Sequence, residues 1–362
     1  MPTENSPEIV QFEQELLETY KRYLPRIDYT SRSVHTTHDG ELLGIHPRVG
    51  GVHHHLNESA YHYNGPLRFI HYTSSIHRAI EVFQRRAFRL SSMDSFNDPQ
   101  EFNFIAKNSH FSNLRPKVLN EKQWMNIIKS WRGKTFAFSF CKYEDEYDES
   151  FEMWRLYGGD GRGAAIVFEI DPTNVPMWFG HYLSSVQYGD SEDQSLPINQ
   201  LLNDVRELWE RYPYPQINEF TKFPEILLAI LSFHKDSIWN IENEVRLVVT
   251  TTDDSKGYKK ISTLSYNDFR PIQQIELEIF SNRMDHEMQD DSDSIDSRLR
   301  KSQQFWKASH NPVIRIKEII VGYNHRPETV ERLSQLVFDL SYDSKIPFVR
   351  VRESNLRGKF MV

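Results

Sequence analysis

The sequence predicts an α+β protein in which helices flank one sheet. Strand-like and helix-like segments both occur along the 362 residues, but they do not alternate regularly. Irregular placement of helices between strands argues against a doubly wound parallel sheet, and the wide spacing of the strands argues against a β-sandwich. We predict strands at 67–73, 87–91, 134–142, 163–170, 242–250, 272–280, 314–322 and 347–352.

Helices are predicted where apolar residues recur at helical spacing behind a capping residue or proline. A glycine run at 158–163 follows one of these helices and precedes a strand. A dinucleotide-binding loop requires the reverse order, strand before helix, so we do not assign the run to phosphate binding. The predicted helices are 7–24, 76–83, 116–131, 151–157, 197–211, 222–235 and 327–341.

The chain divides into an N-terminal segment and one larger domain. Residues 1–66 are predicted to form a helix followed by an irregular, histidine-rich lead-in. No cysteine or carboxylate partner stands at ligand spacing from these histidines, so we expect solvated imidazoles and no metal site. Residues 67–362 are predicted to form a single α+β domain of catalytic type, with a polar insertion near 282–303.

Composition narrows the class of protein. A hydrophobic content of 38% with 13% aromatic residues suits a packed core. The single cysteine, Cys141, excludes an internal disulfide and suits a reducing cytoplasm, which is the predicted location. No apolar run approaches the ~20 residues of a membrane span, so no membrane partner is expected. The net charge of −8 argues against broad electrostatic binding of nucleic acid.

The stretch from Trp239 to Thr250 carries the candidate chemistry. From Glu242 onward its period is two, which places Glu242, Glu244 and Arg246 on one face of a strand. Two carboxylates on one face repel each other, so the pKa of one should rise unless a cation such as Arg246 intervenes. The strand is therefore either a half-solvated edge or the floor of a polar site, and alternation alone favours the edge.

Five sequence blocks occur in a fixed order. The blocks are His71–Ser74, Phe96–Glu101, Met153–Tyr157 before the Gly163 strand, Trp239–Arg246 and Ile316–Gly322. Taken together, they resemble the bacterial family catalogued as domain of unknown function 2971, and the resemblance spans roughly residues 67–352.

A more distant resemblance implies an activity. The order His71, Tyr157, Glu244 resembles the triad of ADP-ribosyltransferases, which implies a split mixed/antiparallel sheet of that type and NAD as the cofactor consumed. By this resemblance His71 contacts the NAD ribose, Tyr157 stacks on nicotinamide and Glu244 holds the ribose hydroxyl. Glu242 then orients or activates the acceptor. Tyr72 competes with Tyr157 for the stacking role.

The remaining cofactor-binding candidates lie near the same blocks. Arg89 is placed to pair with the pyrophosphate as a bidentate donor, although an arginine on a solvated edge explains it equally well. Asn97 and Asp98 either shape the cofactor rim or simply form a turn. The same interpretation assigns NAD contacts to Tyr72, Thr73 and Arg246.

These residue types suit cleavage of the bond between nicotinamide and ribose. The reaction passes through an oxocarbenium-like state, which a fixed carboxylate stabilises, and cationic nicotinamide leaves without help from a metal. We therefore predict an ADP-ribosyltransferase that modifies nucleic acid or protein, as a toxin or phage-defence effector with an antitoxin or defence-complex partner. The alternatives are an NAD glycohydrolase, a non-catalytic nucleotide- or peptide-binding module, and an interaction protein that docks through its first helix.

Overall fold

The structure, a computed structural model, describes most of the chain in separate stretches. Every structural statement below concerns these stretches. They are residues 7–27, 29–36, 42–49, 53–95, 120–178, 180–212, 225–251, 260–264, 271–279, 311–344 and 347–359.

Helices pack against a 10-stranded sheet that is mostly antiparallel, with one parallel pair. The predicted α+β class with a mixed sheet is confirmed. The helices are α1 Pro7–Tyr23, α2 Ile76–Arg85, α3 Glu121–Lys134, α4 Phe151–Leu156, α5 Pro197–Arg211, α6 Glu225–Leu231 and α7 Pro327–Ser344. The strands are β1 Tyr29–Thr36, β2 Leu42–Val49, β3 Arg68–Thr73, β4 Ala87–Ser92, β5 Thr135–Lys142, β6 Ala164–Ile170, β7 His181–Ser185, β8 Gln187–Tyr188, β9 His234–Lys235, β10 Glu244–Thr250, β11 Lys260–Leu264, β12 Pro271–Glu278, β13 Ile314–Val321 and β14 Arg350–Glu353.

The sheet branches at β5. Along one edge, β5 pairs with β10 over its whole length apart from Lys142. Along the other edge it pairs with β4 at Phe136 and Ala137, and with β3 at Cys141 and Lys142. Residues 138–140 therefore belong to neither ladder on that edge, which leaves a gap between β3 and β4. The main path of the sheet is β11-β12-β4-β5-β3-β6-β13-β14, and β10 and β7 extend from β5.

Strand β10 is more deeply buried than its alternating sequence predicts. Every residue from Glu244 to Thr250 is buried, so the half-solvated edge strand favoured from the pattern is wrong. The apolar face packs in the aromatic core of the sheet, where Val245 and Leu247 are fully buried. On the opposite face, Val248 joins a second core formed with α1, α3, α5 and α6. Glu242 is not part of the strand, because it ends a 3-10 helix and Asn243 follows with φ 42°.

The N-terminal segment differs from the irregular lead-in that we expected. Helix α1 packs on α5 and contributes Phe12 and Leu16 to the second core, so it is a packed part of the fold. An antiparallel hairpin, β1–β2, and a 3-10 helix at His53–Leu56 follow it. The predicted polar insertion at 282–303 lies outside the described residues. No helix in the described stretches is long and apolar enough to cross a bilayer.

Two histidines expected to be solvated are buried instead. His53 is 3% exposed and packs edge-on against Trp178, and His55 is 2% exposed. The carbonyl oxygen of Trp178 accepts a hydrogen bond from the backbone N–H of His53, which ties this 3-10 helix to the segment before β7. No group of three metal-binding side chains forms among the described residues.

Burial of neutral histidines makes the stability of the protein dependent on pH. Burial lowers the pKa of His53 to about 4 and that of His234 to about 3. The unfolded chain protonates these imidazoles below about pH 6.5, whereas the folded chain does not. We therefore expect these histidines to cost no stability above about pH 6.5. The free energy of unfolding should fall as the pH drops from about 6.5 toward 4.

Urea unfolding at about pH 7.5 and about pH 5 measures this dependence. His53→Asn should reduce the difference in the free energy of unfolding between the two pH values. The exposed His77 serves as the matched control, and His77→Asn should leave the difference unchanged. An unfolding free energy that is equal at the two pH values would contradict the expectation.

Candidate functional site

A cavity of about 650 Å³ opens on the sheet beside the gap between β3 and β4. Its floor is the face of the sheet that carries Arg89, Ser139, Cys141 and Glu244. Its outer wall comes from the end of α4 and from the 3-10 helix Ser237–Glu242. A cavity of this size lies within the range of small-molecule sites in proteins. The predicted site residues on its walls are His71, Tyr72, Arg89, Tyr157, Glu242 and Glu244.

His71 lies at the gap in the sheet. Its Nδ1 donates a hydrogen bond of 2.9 Å to the carbonyl oxygen of Ser139, a residue in neither ladder on that edge of β5. A carbonyl oxygen only accepts, so Nδ1 carries the proton and Nε2 is left as an acceptor in the neutral ring. Burial lowers the pKa of His71 to about 4, which keeps the imidazole neutral at ordinary pH.

Glu244 is held in a buried ion pair with Arg246. The guanidinium Nε lies 2.5 Å from Oε1 of Glu244, and Nη2 lies 3.1 Å from Oε2. Arg246 also donates to the carbonyl oxygen of Ser232 and is fully buried, behind Glu244 and outside the cavity wall. Burial by itself would raise the pKa of Glu244, but the Arg246 and Lys235 cations lower it to about 2.

Glu242 has two partners of different kinds. Nζ of Lys235 lies 2.5 Å from Oε2 of Glu242, and the Tyr157 hydroxyl donates to Oε1. Burial raises the pKa of Glu242, and Lys235 and Tyr157 offset part of that rise. The pKa of one carboxylate is therefore raised although Arg246 does intervene, because burial is the main cause of the rise and repulsion by Glu244 a smaller one.

Tyr157 reaches the cavity from the C-terminal end of α4. Helix α4 ends at Leu156, so Tyr157 occupies the C-cap position, and its side chain is 40% exposed. The glycine run that follows is a turn into β6, in which a Cβ on Gly163 would lie 1.9 Å from the carbonyl oxygen of Thr73. Glycine is needed there for close packing of the two backbones, in agreement with our rejection of a phosphate loop.

Arg89 contributes a cation to the cavity, and no described carboxylate forms an ion pair with it. It lies on β4, paired with Glu276 in the β12 ladder. Its Nε is buried without a hydrogen-bond partner, and in the described part of the chain its guanidinium makes no ion pair. A buried, unsatisfied guanidinium N–H costs free energy unless a ligand or water completes it. This arginine is accordingly suited to an anionic group in the cavity.

The other predicted residues lie elsewhere or have structural partners. The Tyr72 hydroxyl accepts from the backbone N–H of Ser150, and its ring packs edge-on against Trp154, which anchors α4. The Thr73 hydroxyl donates to the carbonyl oxygen of Ala164, and Thr73 lies outside the cavity wall. Asn97 and Asp98 lie outside the described residues.

Sequence reasoning missed Lys235. This lysine is 2% exposed, contacts both carboxylates and lies 5.1 Å above the ring of Trp239. Its sequence neighbours, His234 and Asp236, showed no periodicity that would place it inside the protein. The proximity of Glu242 and Glu244, seven and nine residues further along, was the available signal.

Comparison with known proteins finds a family model that matches part of the chain. Residues 153–247 match the family described as "Protein of unknown function (DUF2971)". The match supports the resemblance drawn from the sequence blocks, and it contains Tyr157, Lys235, Glu242 and Glu244. His71 and Arg89 lie before it. No curated protein and no solved structure matches the chain, so the resemblance to ADP-ribosyltransferases has no support from these comparisons.

Proposed function

We propose that this cavity binds NAD and cleaves its nicotinamide-ribose bond, transferring ADP-ribose to an acceptor. One observation carries the proposal. His71, Tyr157 and the Glu242–Glu244 pair, which are far apart in the chain, line the same cavity together with Arg89. The sheet, α4 and a 3-10 helix hold them there, so the groups are positioned by rigid elements.

The groups that line the cavity suit the pyrophosphate and the nicotinamide riboside of NAD. Arg89, which has no internal counter-ion in the described residues, would pair with the pyrophosphate. Nε2 of the neutral His71 would accept a hydrogen bond from a ribose hydroxyl, because Nδ1 already donates to the carbonyl oxygen of Ser139. The half-exposed ring of Tyr157 would stack on nicotinamide, close to the carboxylate that its hydroxyl contacts.

The proposed reaction is balanced without a further co-reactant. The C–N bond between ribose and nicotinamide breaks, and nicotinamide leaves as a neutral molecule with the bonding electron pair. The acceptor hydroxyl, amine or water forms the new bond to the same ribose carbon and releases one proton. The carboxylates stabilise the positive charge that develops on the ribose between these events.

Nicotinamide release from NAD by the full-length protein tests the proposal. Release above the spontaneous rate, with saturation by NAD, is the expected result. With NAD labelled in its ADP-ribose part, free labelled ADP-ribose would indicate hydrolysis, whereas label attached to a macromolecule would indicate transfer. A protein that neither releases nicotinamide nor gains thermal stability from NAD would contradict the proposal.

The Arg89→Gln variant should weaken NAD binding without weakening the fold. Loss of a charge-assisted contact to the pyrophosphate corresponds to about 1.5–3 kcal/mol, or roughly 10-fold to 100-fold in Kd. Isothermal titration measures that change, and thermal unfolding checks that Tm is retained. Arg155, exposed at the end of α4, provides the control, and Arg155→Gln should bind NAD as wild type. Equal affinity in the two variants would remove Arg89 from the site.

Exposed apolar side chains beside the cavity favour a protein acceptor over nucleic acid. Leu156 is 51% exposed on the cavity wall, and Ile238 and Ile241 are 75% and 59% exposed on the adjacent 3-10 helix. Phosphate backbones are bound by clustered lysine and arginine, and such a cluster is not formed by the described residues of this 3-10 helix. The toxin or phage-defence role, with its antitoxin or defence-complex partner, stays a prediction that host growth on induction would test.

A non-catalytic receptor is the second candidate, because both carboxylates already have internal cationic partners. Such a protein would bind a nucleotide while the ion pairs remain intact. A rise in Tm with NAD but no nicotinamide release would support this function instead.

A further inference from the structure

Lys235 is a buried cation shared by the two carboxylates. It ends the two-residue strand β9, which pairs in parallel with β8, and it is 2% exposed. Its Nζ lies 2.5 Å from Oε2 of Glu242 and 3.4 Å from Oε2 of Glu244. A buried ammonium is stable only when it is paired, so these contacts fix its side chain against the cavity wall.

The four carboxylate oxygens do not have equivalent partners. Both oxygens of Glu244 accept from Arg246, which is fully buried and anchored to Ser232. Oε2 of Glu242 accepts from the equally buried Lys235. Oε1 of Glu242 is held from the outer wall, by the hydroxyl of the 40% exposed Tyr157.

We propose that Lys235 is a positioning residue of this site: it holds Oε2 of Glu242, so that Oε1 meets the substrate when the Tyr157 hydroxyl moves aside. The proposal rests on the proposed function and makes it more specific, because it assigns substrate contact to Glu242. Glu244 and Arg246 then form a fixed ion pair, which Lys235 contacts through Glu244.

The charges around Glu242 explain why an ammonium is required. The groups that act on it are Lys235 from β9, Glu244 from β10, Tyr157 from the end of α4, and the neutral Cys141 and Tyr188. Arg246 is the partner of Glu244. With Lys235 present, two cations balance two carboxylates. Without it, one arginine faces two buried carboxylates, and the proton taken up to restore neutrality goes to Glu242, because Glu244 keeps Arg246.

The test follows the Glu242 carboxyl directly. The full chain labelled with [5-13C]glutamate is titrated by NMR, and the Glu242 signal is assigned by its loss in Glu242→Gln. In Lys235→Met, the midpoint should move up by about one pH unit or more, whereas Lys235→Arg should stay near wild type. Lys142, whose Nζ lies over the ring of Tyr63 outside the cavity, is the control, and Lys142→Met should leave the midpoint unchanged.

Enzyme kinetics supply a readout that a purely structural role would not move. The acidic limb of the kcat profile should shift by the same amount as the NMR midpoint in Lys235→Met, with KM changed less than about 3-fold. If Lys235→Met does not fold, Lys235→Gln is titrated in its place. An unshifted Glu242 midpoint in a folded neutral variant overturns the proposal. Absence of nicotinamide release by wild type would overturn the proposed function alone, because the titration still decides the role of Lys235.

Discussion

Replacement of Glu242 by glutamine is expected to slow nicotinamide release by about 10²–10³-fold, the loss typical of removing one pre-organised electrostatic contact to a transition state. The amide keeps the size of the side chain and can still contact Lys235 and Tyr157, but it carries no negative charge to stabilise the ribose cation. Binding of NAD should change little, so the loss appears in kcat. Steady-state measurement of nicotinamide release gives both constants.

Glu152 is the matched control for this substitution. It is exposed on α4, where it accepts a hydrogen bond from Ser150, and it is not part of the cavity wall. Glu152→Gln should therefore release nicotinamide at the wild-type rate. Retention of wild-type kcat by Glu242→Gln would remove this carboxylate from the chemistry.

The Glu244→Gln variant is expected to lose stability, by about 3–5 kcal/mol of the free energy of unfolding. The reason is the guanidinium of Arg246, which is fully buried and would keep only partial compensation from its other contacts. Loss of activity in this variant would therefore mix a chemical effect with partial unfolding. Urea denaturation separates the two, because it measures stability without substrate.

A double substitution distinguishes a lost ion pair from general disruption of β10. Glu244→Leu combined with Arg246→Met removes both charges, and it should recover part of the stability that either single change loses. The exposed Glu210, whose partner is Arg206 one turn away, is the control, and Glu210→Gln should change the unfolding free energy by less than about 1 kcal/mol. Additive losses in the double variant would argue against a coupled pair.

The sequence was informative where structure depends on neighbouring residues. The strand predicted at 163–170 corresponds to β6 at Ala164–Ile170, and the helix predicted at 197–211 has the bounds of α5. Apolar runs and proline positions are local signals, so they predict a strand or helix without knowledge of the tertiary structure. The short strand β7 was missed, because a run this brief gives too little periodicity to read, and β9 falls within the helix predicted at 222–235, which in the structure ends at Leu231.

The candidate site was predicted in part. The order of blocks indicated His71, Tyr157 and Glu244, and all three line the same cavity, at the gap, on the outer wall and on the floor respectively. Lys235 was missed, because burial of a charged side chain depends on partners that only the fold brings near. The left-handed backbone at Asn243 was also not predicted, and it separates Glu242 from the strand that carries Glu244.

The residues around the gap in the sheet at β5 are encoded far apart in the chain, which limits how short a protein can be and still form the whole cavity. The segment 153–247, which matches the family, contains both carboxylates, Lys235 and Tyr157. The rest of the cavity floor and the residues at the gap come from β3, β4 and β5, all encoded before residue 153. A shortened gene product restricted to the matched segment would therefore keep the acidic residues of the cavity and lack the part of the sheet that adjoins them.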